Sequence, residues 1–136
     1  MDRADKLKAI STLLEQWMAV YEEGKDLKCF FADANLKRVG IYGYGILGRH
    51  LHKVLVAYGI EVVCILDRKA ESIACHEERK ELFLHPDTLT KAMEVECIII
   101  TAVDGIEEIE RFLTDRHPAT VVTLKEVLEY AQWEKR

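Results

Sequence analysis

The chain has 136 residues, of which 49% are hydrophobic and 32% charged, and its formal net charge is −5. This length suits a single folded domain with a buried core, and the composition excludes a disordered chain. The negative charge disfavours binding to the nucleic-acid backbone. The sequence has no apolar run long enough for a signal peptide or a membrane span, so we expect a cytoplasmic protein.

An amphipathic helix is predicted over residues 5–23, with Gly24 as its stop. Its apolar side chains recur at spacings of three and four, which places them on one broad stripe. The stripe consists of Leu7, Ile10, Leu13, Leu14, Trp17, Met18, Val20 and Tyr21. A stripe this wide must be covered, and we expect one part to pack on the domain and another part to form a homodimer contact. This helix and a connector make up residues 1–35, and the domain itself spans residues 36–136.

From residue 36 onward, short apolar strands alternate with helices. Strands are predicted at "RVGIYG", "EVVCILD", "ELFL", "ECIIIT" and "ATVVTL". Helices are predicted at "ILGRHLHKVLVAY", from Pro86 to about Met93, at "GIEEIERFLTDR" and at "LKEVLEYAQW", and a charged loop is predicted at "RKAESIACHEERK". Right-handed crossovers bring such strands into a parallel sheet that is covered on both faces. The predicted fold class is therefore α/β, a Rossmann-like doubly wound sheet of five parallel strands in the order 3-2-1-4-5, with an additional N-terminal helix.

The four cysteines contain no CxxC pair and are predicted to be free thiols, because the expected compartment is reducing. Cys64 and Cys97 fall within apolar predicted strands and are interpreted as small core residues. The spacing of cysteine and histidine residues fits no common zinc site, so no metal is expected.

A GxGxxG pattern joins the first predicted strand to the helix that follows it. In this pattern, Gly43 forms the tight turn, Gly45 lets the backbone approach a pyrophosphate, and Gly48 lets the helix pack closely on the strand. The amides at the start of the helix, around Ile46 and Leu47, are unpaired donors at the positive end of the helix dipole. The pattern therefore predicts a phosphate-binding cradle, although glycines at such a turn can also serve packing alone.

Asp67 closes the second predicted strand, nineteen residues after Gly48. A carboxylate at this place accepts hydrogen bonds from the ribose hydroxyls and repels a 2′-phosphate, which favours NAD over NADP. Arg68 follows it and leaves that choice open, because an arginine can bind the phosphate or lie on the adenine ring. Tyr44, between the first two glycines, is bulky but is expected to point away from the cradle.

The stretch "VGIYGYGILGRHLHKVLVAYGIEVVCILDRK", followed by "LFLHPDTL", "ECIIITAV" and "VVTLKEVL", resembles the small NAD(P)-binding Rossmann domains of bacteria. Among these it is similar to the NAD-binding domain of Rex-type redox-sensing repressors and to the nucleotide-binding domain of bacterial sugar acyltransferases. It also resembles modules associated with surface-polysaccharide and glycosyltransferase systems. The resemblance covers about residues 37–130.

The resemblance implies that the three glycines and Asp67 hold the adenosine diphosphate half of the cofactor. It also implies that Thr101, Ala102 and Val103, which follow the fourth strand, line the crevice towards the nicotinamide. The 136 residues contain neither the winged-helix domain of the repressors nor the hexapeptide β-helix of the acyltransferases. We therefore expect neither activity to transfer whole.

No nucleophile in the sequence is accompanied by a recognisable base, so no catalytic residue is assigned. The leading hypothesis is a module that binds NAD(H), with NADP, another nucleotide or a nucleotide-sugar as alternatives. It acts as a sensor or accessory subunit of a partner enzyme, and the resemblance implies surface-polysaccharide metabolism. The alternatives are an NAD-dependent oxidoreductase or sugar-nucleotide-modifying enzyme completed by dimerisation or a partner, a methyltransferase remnant, and an interaction domain with an empty cradle.

Overall fold

Five parallel strands form one sheet at the centre of the protein, as described by a computed structural model for residues 1–134. The strands are β1 (Arg38–Tyr42), β2 (Glu61–Leu66), β3 (Phe83–Leu84), β4 (Cys97–Ile100) and β5 (Thr120–Thr123). Their order across the sheet is β3-β2-β1-β4-β5. The predicted fold class, an α/β Rossmann-like parallel sheet in the order 3-2-1-4-5 with an additional N-terminal helix, is confirmed.

Six α-helices surround the sheet within the described residues. They are α1 (Arg3–Glu22), α2 (Lys28–Asp33), α3 (Ile46–Ala57), α4 (Ala70–Ala74), α5 (Ile106–Arg116) and α6 (Leu124–Trp133). Helix α1 is followed, as predicted, by Gly24, whose φ of +74° suits a glycine at a helix end. None of the helices in residues 1–134 combines the length and hydrophobicity that a membrane crossing requires.

The helix predicted from Pro86 to about Met93 is wrong, because only a single 3-10 turn forms there, at Pro86–Thr88. Leu89 continues in extended backbone, with a ψ of 126°, and its side chain is buried. The buried His117 ring then contacts the carbonyl oxygen of Met93, which lies 2.7 Å from its Nε2 atom. Pro86 occupies the first turn of this 3-10 helix, as its fixed φ favours, but the tertiary contacts prevent the turn from continuing as a helix.

Two short helices, α2 and α4, are not predicted by the sequence pattern. Helix α2 contains six residues and α4 contains five. Each has fewer than two turns, so neither repeats its apolar positions often enough to display a helical period. Helix α4 interrupts the charged segment at residues 68–80 that the sequence predicts as a loop.

Alternate residues of each strand face opposite sides of the sheet. Ile41, Ile65 and Ile99 belong to one core cluster, which also contains residues of α1, α2, α3 and α6. Leu66 and Ile100 belong to a second cluster on the other face, covered by α5. Helices α1 and α2 therefore share a core with the sheet.

The apolar stripe of α1 is divided between this core and the surface. Trp17 and Val20 are buried, with 2% and 0% of their surface exposed. Three further positions are partly buried against the same core cluster: Ile10, Leu13 and Leu14. Leu7, Met18 and Tyr21 are exposed. One part of the stripe thus packs on the domain, and the homodimer contact of the exposed part stays a prediction.

Replacing Trp17 by alanine is expected to lower the free energy of unfolding by about 3–5 kcal/mol, because a large buried ring is removed and a cavity is left. The matched control is Met18→Ala at the next position, where 60% of the residue is exposed. There the change should stay within about 0.5 kcal/mol. Urea denaturation, monitored by circular dichroism, gives the free energy of unfolding of both variants. Equal losses of stability in the two variants would contradict the division of the α1 stripe into a buried and an exposed part.

The cysteines differ sharply in exposure, since Cys64, Cys97 and Cys29 are buried and Cys75 is exposed. The prediction that Cys64 and Cys97 are core residues is confirmed. Burial raises the pKa of the Cys64 thiol to about 11 and that of Cys97 to about 12. Neither residue therefore forms the reactive thiolate near neutral pH.

We expect one thiol, that of Cys75, to react rapidly with Ellman's reagent in the folded protein at neutral pH. All four should react once the protein is unfolded in guanidinium chloride. Mass spectrometry of the modified peptides identifies the site. Rapid labelling of Cys64 or Cys97 in the folded protein would show that the sheet opens more readily than its packing indicates.

Candidate functional site

A glycine turn connects β1 to α3 at the carboxyl end of the central strand. Gly43 has a φ of +98°, a conformation that residues with side chains rarely adopt. A Cβ atom at Gly43 would lie 2.9 Å from the hydroxyl oxygen of Thr101, and one at Gly48 would lie 1.9 Å from the carbonyl oxygen of Gly43. Both glycines are thus required for the turn and for the close packing of α3 on the strand.

Gly45, the middle glycine, has different surroundings. No atom lies within 4 Å of the position that a Cβ atom would take there. Its φ of −86° is open to any residue, and it precedes α3 without contributing a side-chain cap. Packing therefore does not require a glycine at this position. Beside the uncapped start of α3 lies space that a ligand can enter.

Asp67 follows β2 and is hydrogen-bonded to the glycine turn itself. Its Oδ2 atom accepts a hydrogen bond from the backbone amide of Tyr44, at 2.9 Å. Its Oδ1 atom accepts one from the backbone amide of Lys69, at 2.8 Å. The carboxylate thus fixes the turn against the end of β2, a role that the sequence pattern does not predict. Each oxygen retains a second lone pair for a further donor.

The side chain of Tyr44 points into the core, away from the turn, as expected. Only 6% of the residue is exposed, and its ring packs edge-on against Phe83 with the ring centres 4.9 Å apart. Its hydroxyl oxygen lies 3.2 Å from Nδ1 of His52. Burial raises the pKa of Tyr44 and lowers that of His52, so both are neutral near pH 7. This pair anchors the turn to the middle of α3.

Thr101 lies directly beneath the glycine turn. Its hydroxyl oxygen is 3.0 Å from the carbonyl oxygen of Tyr42 and 2.8 Å from that of Gly43, so the hydroxyl can donate to either. The backbone amide of Thr101 also donates to the Tyr42 carbonyl, at 2.9 Å. Thr101 thus holds β4 against the turn.

A cleft of about 710 Å³ opens at the carboxyl ends of the strands. Helix α5 contributes Ile109 and Phe112, and the loop after β2 contributes Asp67, Arg68 and Lys69. Strands β1 and β4 are neighbours in the sheet. The helix that follows β1, α3, packs on one face of the sheet, and the helix that follows β4, α5, packs on the other. The cleft therefore lies at the topological switch point, where open α/β sheets bind their ligands.

The predicted site residues are not all brought together in this cleft. Those that line it are Gly43, Asp67, Arg68 and Ala102. Val103 lines a separate cavity of about 380 Å³, and Thr101 is buried under the turn instead of lining the crevice. At the start of α3, Gly45 and Ile46 are exposed, whereas Leu47 is buried in the core.

Several residues of the cleft are not singled out by the sequence pattern. His85, Pro86 and Asp87 line it because they follow β3, whose carboxyl end lies at the same edge as those of the other strands. That position in a parallel sheet is the signal that could have found them. Ile109 and Phe112 belong to the helix predicted at "GIEEIERFLTDR", but only the docked helix shows that they face the cleft.

Charged groups of both signs line the cleft. Arg68 and Lys69 follow β2, whereas Asp104 and Glu108 follow β4. Asp104 also has a partner outside the cleft, since its Oδ2 atom lies 3.7 Å from Nζ of Lys6 in α1. Within residues 1–134, no group of three or more histidine, cysteine, aspartate or glutamate side chains is arranged to hold a metal ion.

Comparison with protein-family models, with curated proteins and with solved structures gives no match for this chain.

Gly48 and Gly45 differ most in their surroundings, so we expect an alanine to destabilise the protein at Gly48 and to be tolerated at Gly45. Gly48→Ala forces a carbon into the carbonyl oxygen of Gly43, so we expect it to lower the free energy of unfolding by about 3 kcal/mol or more. Gly45→Ala enters open space and should change it by less than about 1 kcal/mol. Thermal and urea denaturation measure both variants. A Gly45→Ala variant as unstable as Gly48→Ala would refute an open cradle.

Proposed function

We propose that this protein is a nucleotide-binding module, with NAD(H) as its predicted ligand, that serves as a sensor or accessory subunit of a separate enzyme. The observation that carries the proposal is the open space at Gly45. Packing alone accounts for Gly43 and Gly48, because a side chain at either would collide with the turn or with Thr101. It does not account for a glycine at position 45, whereas a bound phosphate does, since it needs close access to the backbone.

The start of α3 supplies the electrostatic part of this site. The helix has 12 residues, and no side chain caps its first amides. Those amides are free to donate to a phosphate, and the aligned peptide dipoles place partial positive charge at the same end. The turn is held by Thr101, Asp67 and Tyr44, so the donors are already in position before a ligand binds.

The cleft next to the turn offers contacts for a nucleoside. Ile109 and Phe112 form an apolar surface against which a base can pack. The spare lone pairs of Asp67 can accept hydrogen bonds from ribose hydroxyls. Arg68 lies beside Asp67 in the cleft and can bind a 2′-phosphate, which keeps NADP as an alternative.

In this function the protein binds its nucleotide without catalysing a reaction. A dehydrogenase needs a further region that holds the substrate and places an acid or base beside the nicotinamide. Here α1 and α2, which precede the alternating strands and helices, contribute to the core cluster of the sheet. They support the nucleotide site instead of forming a separate substrate domain.

Wild-type protein is expected to bind NAD⁺ in isothermal titration calorimetry, and Gly45→Val should weaken binding by about tenfold or more, because the side chain fills the phosphate space. The matched control is Ala57→Val, which enlarges an exposed residue at the other end of α3. It should leave the affinity unchanged. Both variants should keep the circular dichroism spectrum of the wild type.

The same titration with NADH, NADPH, S-adenosylmethionine and a UDP-sugar identifies the ligand class. Binding that Gly45→Val leaves intact would place the ligand outside the cradle. Absence of binding across the whole panel would contradict the proposal and make the protein an interaction domain with an empty cradle.

A further inference from the structure

The loop between β4 and α5 borders two cavities of unequal volume. On one side lies the cleft of about 710 Å³, which extends from this loop to the residues after β2. On the other side, Met1 and Val103 line the cavity of about 380 Å³ together with the start of α5. Met1 comes just before α1, so the start of α1 lies beside this loop at the smaller cavity.

Contacts along its length hold α1 in this position. Lys6 Nζ lies 3.7 Å from Asp104 Oδ2, next to Val103. The helix start is capped, because Asp2 accepts a hydrogen bond from the amide of Asp5 at 2.8 Å. Further along, Trp17 is 2% exposed in the core cluster against which Val103 also packs. The beginning of α1 is thus a built part of the site's border.

A dinucleotide in a doubly wound sheet lies across the switch point, with one half on each side of the glycine turn. In this protein the half on the β2 side has the open cleft, with Asp67 and Arg68. The half on the β5 side would have to lie in the smaller cavity at Val103, which Met1 borders and beside which Lys6 of α1 pairs with Asp104. The space for the second half is therefore restricted by the chain itself.

We infer that the site contacts the nucleoside and the diphosphate of a nucleotide but no group beyond them, because α1 restricts access to the surface that the second half of a dinucleotide would contact. The inference rests on the proposed function and narrows its ligand class to nucleoside diphosphates. These bind either free or as one half of a larger nucleotide whose other half stays in solvent. A module of this kind responds to the adenosine diphosphate group, and its response does not depend on the redox state of a nicotinamide.

Calorimetric titration of the wild-type protein with ADP, ADP-ribose, NAD⁺ and NADH tests this inference. The four dissociation constants are expected to agree within about threefold, since the groups beyond the diphosphate make no contact. A preference of about tenfold or more for NAD⁺ or NADH over ADP would overturn the inference and leave the proposed function standing. If none of the four binds, the proposed function fails and the inference fails with it.

Methyl NMR gives a second readout that does not depend on affinity. In protein labelled at isoleucine and valine methyl groups, saturating ADP and saturating NAD⁺ should both shift Ile109, which lines the cleft. The methyl groups of Val103 and of Ile10 in α1 should give the same shifts with either ligand. Shifts at Val103 that appear with NAD⁺ but not with ADP would show that the second half contacts this surface, contrary to the inference.

Discussion

The close approach of α3 to the end of β1 is the constraint on which the candidate site depends. With no side chain at Gly48, the third residue of α3 can pass the carbonyl oxygen of Gly43, where a Cβ atom would lie 1.9 Å away. This approach places the uncapped start of α3 at the carboxyl edge of the sheet. A helix held further out would carry the same amide groups away from Gly43, which lines the cleft.

Three different side chains hold the turn that this approach creates. Thr101 holds it from β4, Asp67 from the end of β2, and Tyr44 through its buried contact with His52. Because these contacts come from separate elements, the turn is fixed relative to the whole sheet. A donor set fixed in this way loses little conformational entropy when a ligand binds, which favours recognition of a small group such as a phosphate.

The same carboxyl edge is asymmetric because of α1. Its buried residues, Trp17 and Val20, attach the helix to the face that carries α3 and α6. Its start therefore comes to lie against the loop after β4, where Lys6 pairs with Asp104. The N-terminal helix thus contributes to the core and also borders the loop after β4.

The sequence by itself determined the alternation of strands and helices, the strand order and the positions of the three glycines. Hydrophobic periods of 2 and 3.6 residues are local, and right-handed crossovers leave few topologies. Only the tertiary structure decided that Thr101 lies under the turn, that Asp67 binds the Tyr44 amide, and that the segment after Pro86 is not a helix. It also decided which residues line the cleft beside the glycine turn. These features depend on contacts between residues far apart in the chain, such as Lys6 with Asp104 and Met93 with His117, which no local pattern encodes.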